Sequence, residues 1–179
     1  MVKIKYFVHG TTTDNQAKIA SGWNHGELSE KGIMQAKALA QTIKDQHFDI
    51  VFCSDLLRAV ESAKIDFEGR DINIVQDARL RECNYGDYNG KDSALADYFS
   101  HIQTPFPNGE SLQDVEKRMK SFVDFLKQNY GGKTVAIVSH KAPQLALDVI
   151  VKNKSWQTAL KEDWRITHNW QPGWDYEIN

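Results

Sequence analysis

Two apolar runs each deliver a histidine to the start of a polar segment. Tyr6-Phe7-Val8 leads into His9-Gly10, and Val135-Ala136-Ile137-Val138-Ser139 leads into His140-Lys141. A third run, Val51-Phe52-Cys53, ends in Ser54-Asp55, with Arg58 close behind. The segment "LRECNYGDYNG" places Glu82 between two non-helical stretches. An imidazole can act as a nucleophile, and a guanidinium offers a planar fork of N–H donors to an oxyanion. A carboxyl group in a partly closed cleft holds its proton more readily and can donate it. Together these side chains are the inventory of phosphoryl transfer: a nucleophile, charge neutralisation and an acid. Each also has a plainer role. A lone strand-end histidine is most often structural, Arg58 suits an ion pair on a helix surface, and Glu82 suits a solvated loop.

For these groups to meet, the chain must bring separate strand ends together. Strand-like runs rich in Val, Ile and Phe lie at Lys3–His9, Asp49–Ser54, Ile72–Gln76 and Thr134–His140. Between them, Glu30–Gln46 carries Ile33, Ala36, Leu39, Ala40 and Ile43 on one helical face. Leu56–Phe67 and Ser111–Tyr130 have the same period, and Gly131-Gly132 ends the latter. A further helix starts near Ala142, with Pro143 in its first turn. Alternating strands and helices predict an α/β fold, a three-layer α/β/α arrangement around a mostly parallel sheet. In such sheets ligands bind beyond the carboxyl ends of the strands, where both histidines fall. The last stretch, "RITHNWQPGWDYEIN", reads as two short strands around a type II turn at Gln171-Pro172-Gly173-Trp174. Its tryptophans Trp170 and Trp174, with Trp164 just before it, suit a cap on the core or sheet edge, with an aromatic lid over a site as the alternative.

The 179 residues fit a single domain, 1–179, with a Trp-rich segment at about 155–179. At 41% hydrophobic, 26% charged and a net charge of −2, the chain has no block of like charge. Nothing therefore points to a nucleic-acid or membrane-surface partner. No apolar run reaches the roughly 20 residues that span a bilayer, and no secretory leader stands at the N-terminus. Cys53 and Cys83 have neither redox nor metal spacing, so a reduced, cytoplasmic setting is expected.

Taken in order, these blocks resemble the histidine phosphatase superfamily, the group that contains cofactor-dependent phosphoglycerate mutases and α-ribazole phosphatases. "HGTTTDN" resembles its nucleophile loop and "GELSEKGIMQAKALA" the helix that follows. "VFCSDLLRAVESA", "LRECNYGDYNG", "PNGESLQDVEKRM" and "VAIVSHKAP" resemble the remaining blocks, so that His9 to His140 covers roughly three quarters of the chain. The resemblance implies a phosphoglycerate mutase-like fold and a metal-independent phosphomonoesterase with no cofactor, acting on a small phosphate ester. It implies His9 as the nucleophile that becomes phosphohistidine, and Glu82 as the acid that protonates the leaving oxygen and then activates water. It further implies Arg58 and His140 neutralising the phosphoryl oxygens, Thr12 and Asn15 adding hydrogen bonds, and Gly10 allowing close approach of the phosphate.

Three positions depart from the family pattern. Val8 stands where an arginine usually precedes the nucleophile, and losing one such donor costs on the order of 3 kcal/mol, about a hundredfold in rate. Thr11 replaces the frequent Glu or Gln. Lys141 follows His140 where glycine is usual, and it is a candidate to replace the missing positive charge at the phosphate. Cys83, where the mutases have arginine, and the short segment from Gly90 to Pro107 favour a phosphatase over a mutase-type phosphotransferase. A phosphoester-binding protein with little turnover is the other alternative. Cys53 to Arg58 is one residue short of the Cys-x5-Arg thiolate loop, and "GGKT" precedes a strand, unlike a P-loop. His25, His47, His101 and His168 show no ligating spacing.

Overall fold

The computed structural model describes residues 1–167 and 172–179. In chain order its regular elements are β1 (Val2–Val8), α1 (Thr13–Gln16), β2 (Ile19–Ala20), α2 (Glu30–Ile43), β3 (Ile50–Cys53), α3 (Leu57–Asp66) and β4 (Ile74–Gln76). These are followed by β5 (Lys91–Asp92), α4 (Leu112–Asn129), β6 (Thr134–Ser139), α5 (Lys141–Lys152), α6 (Trp156–Lys161), α7 (Trp164–Thr167) and β7 (Trp174–Ile178). Short 3-10 turns occupy Ala78–Leu80, Gly86–Tyr88 and Ser93–Leu95.

The main sheet has the order β4-β3-β6-β1-β7. β1 and β3 both run parallel to the central β6, and β4 runs parallel to β3. The strands have period-2 side chains, and both faces are apolar, as a sheet covered on both sides requires. Ile4, Tyr6, Phe52, Val135 and Ile137 face one core, shared with Leu112, Met119 and Phe122 of α4 and Leu145 of α5. Phe7, Val51, Cys53, Ala136 and Val138 face the other, with Ile43 of α2 and Ala63 of α3. The predicted three-layer arrangement is therefore what the two cores build. Among the described residues no helix is long and apolar enough to cross a membrane.

α4 forms because Leu112, Val115, Met119, Phe122, Val123 and Leu126 recur at helical spacing and are all buried. Ser111 starts it: its hydroxyl accepts from the Asp114 amide, and the Asp114 carboxylate accepts from the Ser111 amide. α5 begins directly after His140, with Pro143 in its first turn as the sequence predicts.

The C-terminal segment corrects one expectation. Where a strand was expected to begin at Arg165, the chain forms α7, because Asp163 caps it. The Asp163 carboxylate accepts from the Arg165 amide at 3.1 Å, and its carbonyl accepts from the Ile166 and Thr167 amides. β7 pairs antiparallel with β1 instead of folding back on a neighbouring hairpin strand. The remainder of the expected first strand, Trp170 and the start of the expected turn at Gln171 lie outside the described residues.

Candidate active site

The register of β1 on β6 decides where the two histidines go. Val8 lies opposite Ser139, and the His9 amide extends the ladder by donating to the Ser139 carbonyl at 3.0 Å. The next residues, His9 and His140, therefore leave adjacent strand ends side by side, with ring centroids 5.0 Å apart. Tyr6 fixes the second: its hydroxyl donates to the His140 carbonyl at 2.7 Å and accepts from the His140 amide at 3.1 Å.

His9 is held as one neutral tautomer. Its Nδ1 lies 2.7 Å from the Gly10 carbonyl, which can only accept, and its Nε2 lies 3.3 Å from Arg58 Nε, which can only donate. The proton is thus on Nδ1 and the lone pair on Nε2. Burial, reinforced by the Arg58 guanidinium, pushes the His9 pKa down to about 3. His140 is fully buried, and neither of its ring nitrogens has a partner among the described residues. Burial first, then Arg58 and His9, hold its pKa well below the histidine range. The free protein thus favours the neutral form of His140, whose ring can offer an N–H.

Arg58 comes from the first turn of α3 and is buried. The surface ion pair suggested as its plain role is absent among the described residues. Nη1 donates to the Asn24 carbonyl at 2.9 Å and Nη2 to the Gly22 carbonyl at 2.7 Å. With carbonyls for partners, the guanidinium keeps its full charge beside His9. The same loop reaches across the site, since the Trp23 indole N–H donates to the Glu82 carbonyl at 2.8 Å. Arg118 of α4 donates to that carbonyl too, at 2.9 Å.

Glu82 is buried, not solvated. Oε1 accepts from the amides of Cys83 and Ala142 and from the Tyr98 hydroxyl, and Oε2 accepts from the Lys141 amide. The Lys141 and Ala142 amides open α5, so two of the free N–H groups at that helix end find their acceptor in Glu82. Tyr98 is in turn within 2.8 Å of the Tyr85 hydroxyl, so a short polar chain leads from the buried aromatics to the carboxylate.

A cavity of about 640 Å³ opens over these groups, and its wall includes Val8, His9, Arg58, Glu82 and Lys141. Gly10 and Asn15 also line it, whereas Thr12 does not. Thr12 is buried and caps α1: its hydroxyl accepts from the Asn15 amide, and Asn15 Oδ1 accepts from the Thr12 amide. Thr12 therefore positions Asn15 and does not present its hydroxyl to a ligand. Gly10 has a packing reason of its own, since a Cβ there would stand 2.5 Å from the Gly32 carbonyl oxygen of α2. Cys53 is buried on β3, and burial followed by Asp55 pushes its thiol up to about 12, which removes the thiolate alternative.

Lys141 does line the cavity, but its Nζ lies 3.1 Å from Asp163 Oδ2. Arg165, on the same wall, pairs with the other oxygen of that carboxylate at 2.9 Å. Sequence reasoning passed over Tyr98, Arg118 and Arg165. Only Arg118 carried a signal, its place in the "PNGESLQDVEKRM" block. Trp164 and Trp174 both line the cavity, and Trp174 also packs edge-on against Tyr6, so the capping and site-facing roles coincide there.

A sheet with its nucleophile candidate at the carboxyl end of β1, a second histidine beside it and a buried arginine between helix and loop defines a class. The sequence profile of the histidine phosphatase superfamily (branch 1) matches residues 7–168, and the chain belongs to that family. It is 29% identical over 157 residues to phosphoserine phosphatase 1 of Hydrogenobacter thermophilus, covering 82% of this chain and 74% of that protein. It is 31% identical over 170 residues to the 2,3-bisphosphoglycerate-dependent phosphoglycerate mutase of Rhizobium meliloti, covering 86% and 81%. The solved structure of Bacillus stearothermophilus YhfR superposes with a TM-score of 0.80 at 29% identity, covering 89% of this chain and 84% of that one. The relatives thus include phosphatases and mutases of small phosphorylated metabolites.

Proposed function

We propose that the protein is a phosphomonoesterase that hydrolyses a small phosphate ester through phospho-His9. The observation that carries this reading is the tautomer of His9: a neutral ring with its Nε2 lone pair at the cavity wall beside a buried guanidinium. In the first step Nε2 attacks phosphorus and the bond to the alcohol oxygen breaks, that oxygen taking a proton from Glu82. The positive charge gained by the ring is met by the Gly10 carbonyl at Nδ1–H. In the second step Glu82 takes a proton from water as the water oxygen attacks phosphorus. The P–N bond breaks, inorganic phosphate leaves, and both His9 and Glu82 return to their starting states.

Arg58 supplies charge to the transferring oxygens, and His140 supplies an N–H donor from its buried ring. A bound dianion raises the proton affinity of His140, so its charge develops only with the ligand present. Steady-state hydrolysis of an aryl phosphate tests the reading: His9→Ala loses at least about a thousandfold in kcat. Equal rates for the two proteins would refute it.

Val8 supports a slower variant of the same reading, a phosphoester-binding protein with weak turnover. The resemblance puts a charged donor at this position, and here an apolar side chain lines the cavity. Val8→Arg raises the rate tenfold or more if only that donor is lacking; no gain means the pocket has been rebuilt around valine.

A further inference from the structure

We propose that Lys141 and Arg165, joined through the buried carboxylate of Asp163, form a second anion subsite that receives a negatively charged group on the alcohol part of the substrate. This rests on the phosphomonoesterase reading and names the substrate class within it.

The Asp163 side chain is 0% exposed, and it is the one carboxylate that pairs with either cation among the described residues. Lys141 Nζ lies 3.1 Å from Oδ2, and Arg165 Nη1 lies 2.9 Å from Oδ1. Two cations against one carboxylate leave a net positive charge on this wall. Both cations line the cavity and stay partly open to it, with side chains 30% and 25% exposed. Each also lies over an aromatic ring, Lys141 4.6 Å from the centroid of Tyr98 and Arg165 4.7 Å from that of Trp164. Stacked on rings and tethered by one buried anion, the two chains are ordered before a ligand arrives, which lowers the cost of binding. A guanidinium offers five N–H donors, and the contacts to Asp163 leave most of them for a carboxylate or phosphate.

The location fixes which part of the substrate is read. Lys141 donates its own amide to Glu82 Oε2, so its side chain departs from the point where the alcohol oxygen takes its proton. The transferring phosphoryl group is met by His9 and Arg58, and the Arg165 charge also reaches His9. Through the contact of Lys141 with the acid, the cation pair is assigned to the leaving group.

The test compares two esters of equal size, 3-phosphooxypropanoate and its primary amide. The wild type is expected to favour the carboxylate ester tenfold or more in kcat/KM, chiefly through KM. Arg165→Gln should reduce that preference to threefold or less, and Arg165→Lys should restore most of it, which separates charge from folding. A wild-type preference below threefold, or an Arg165→Gln loss equal for both esters, overturns the proposal; the latter assigns Arg165 to the phosphoryl group. Calorimetric binding of both esters to His9→Ala keeps the two readings apart. Tenfold tighter binding of the carboxylate ester without wild-type turnover of either upholds the subsite and refutes the hydrolase. Equal binding, or none, refutes the subsite whatever the turnover.

Discussion

Arg58 Nε lies 3.3 Å from His9 Nε2 and donates to it, so a buried cation both orients the imidazole and holds its reactive nitrogen unprotonated. A ligand phosphoryl oxygen would take over this donor as Nε2 turns to phosphorus. Arg58→Met is therefore expected to lower kcat/KM about a hundredfold. It should also raise the His9 pKa, read from the ring resonances by NMR. A His9 pKa that stays where it was would show that burial alone sets it.

The two histidines make stability depend on pH in a fixed direction. His9 is pushed down to about 3, and His140 well below its ordinary value, chiefly by burial in both cases. In the unfolded chain both take up protons near pH 6.5. The unfolded state then binds more protons than the folded one, so stability falls as pH drops from about 6.5 toward 3. Urea midpoints measured from pH 7 to 4.5 should decline, and His9→Asn should flatten the decline. The same shift acts on the rate. An attacking base and a donating acid give a bell-shaped profile, in which His9 places no inflection near 6.5. After correction for substrate ionisation, an acid limb at 6 to 7 that His9 controls would contradict this.

Tyr98 donates to Glu82 Oε1 at 3.1 Å and is itself buried. Tyr98→Phe keeps the ring and removes the donor. The expected result is a kcat lower by about tenfold, from one lost hydrogen bond to the Glu82 carboxyl group, with the melting temperature little changed. Glu82→Gln, which removes proton transfer itself, should cost roughly 10²- to 10⁴-fold.

Gly32 sets helix propensity against packing. It stands within α2, where Gly→Ala ordinarily stabilises by about 1 kcal/mol. Here an added Cβ would run into the carbonyl of Thr11, which is backbone and cannot step aside cheaply. Overpacking of this kind costs roughly 1–3 kcal/mol, so Gly32→Ala is expected to destabilise the protein. Because the shift falls on the loop after His9, phosphate affinity should drop with it. Denaturant melts and a phosphate titration check both effects.

Asp66 shows the opposite sign. It ends α3, where the helix dipole disfavours a negative charge, and it is buried with Oδ1 unpartnered among the described residues. Burial raises its pKa to about 8. The folded state therefore holds a proton that the unfolded state releases above about pH 4, and stability is lost as pH rises from there to about 8. Asp66→Asn should raise the melting temperature at pH 8 by an amount that shrinks toward zero near pH 4. An equal gain at both pH values would mean that charge is not the cause.

Much of the frame was legible because it rests on local pattern. The runs around Val8 and Val138 alternate between two apolar cores, and the stripe from Leu112 to Leu126 admits only a helix with one buried face. Ser111 and Pro143 mark helix starts through backbone chemistry that neighbours in sequence decide. In the C-terminal segment the expected second strand is β7, but its pairing was not legible because its partner, β1, lies far away in the chain. The Asp163 cap that starts α7 is local in sequence and was passed over.

The sequence by itself determined that two strands end in histidine, that an arginine opens a helix, and that a glutamate stands in an irregular segment, since each is a matter of residue type and short-range periodicity. Only the tertiary structure decided that His9 is neutral with its lone pair on Nε2, that Thr12 caps a helix, and that Asp163 gathers Lys141 and Arg165 on one wall. Protonation state and net local charge depend on burial and on partners from remote segments. Those quantities exist only once the chain has closed around them.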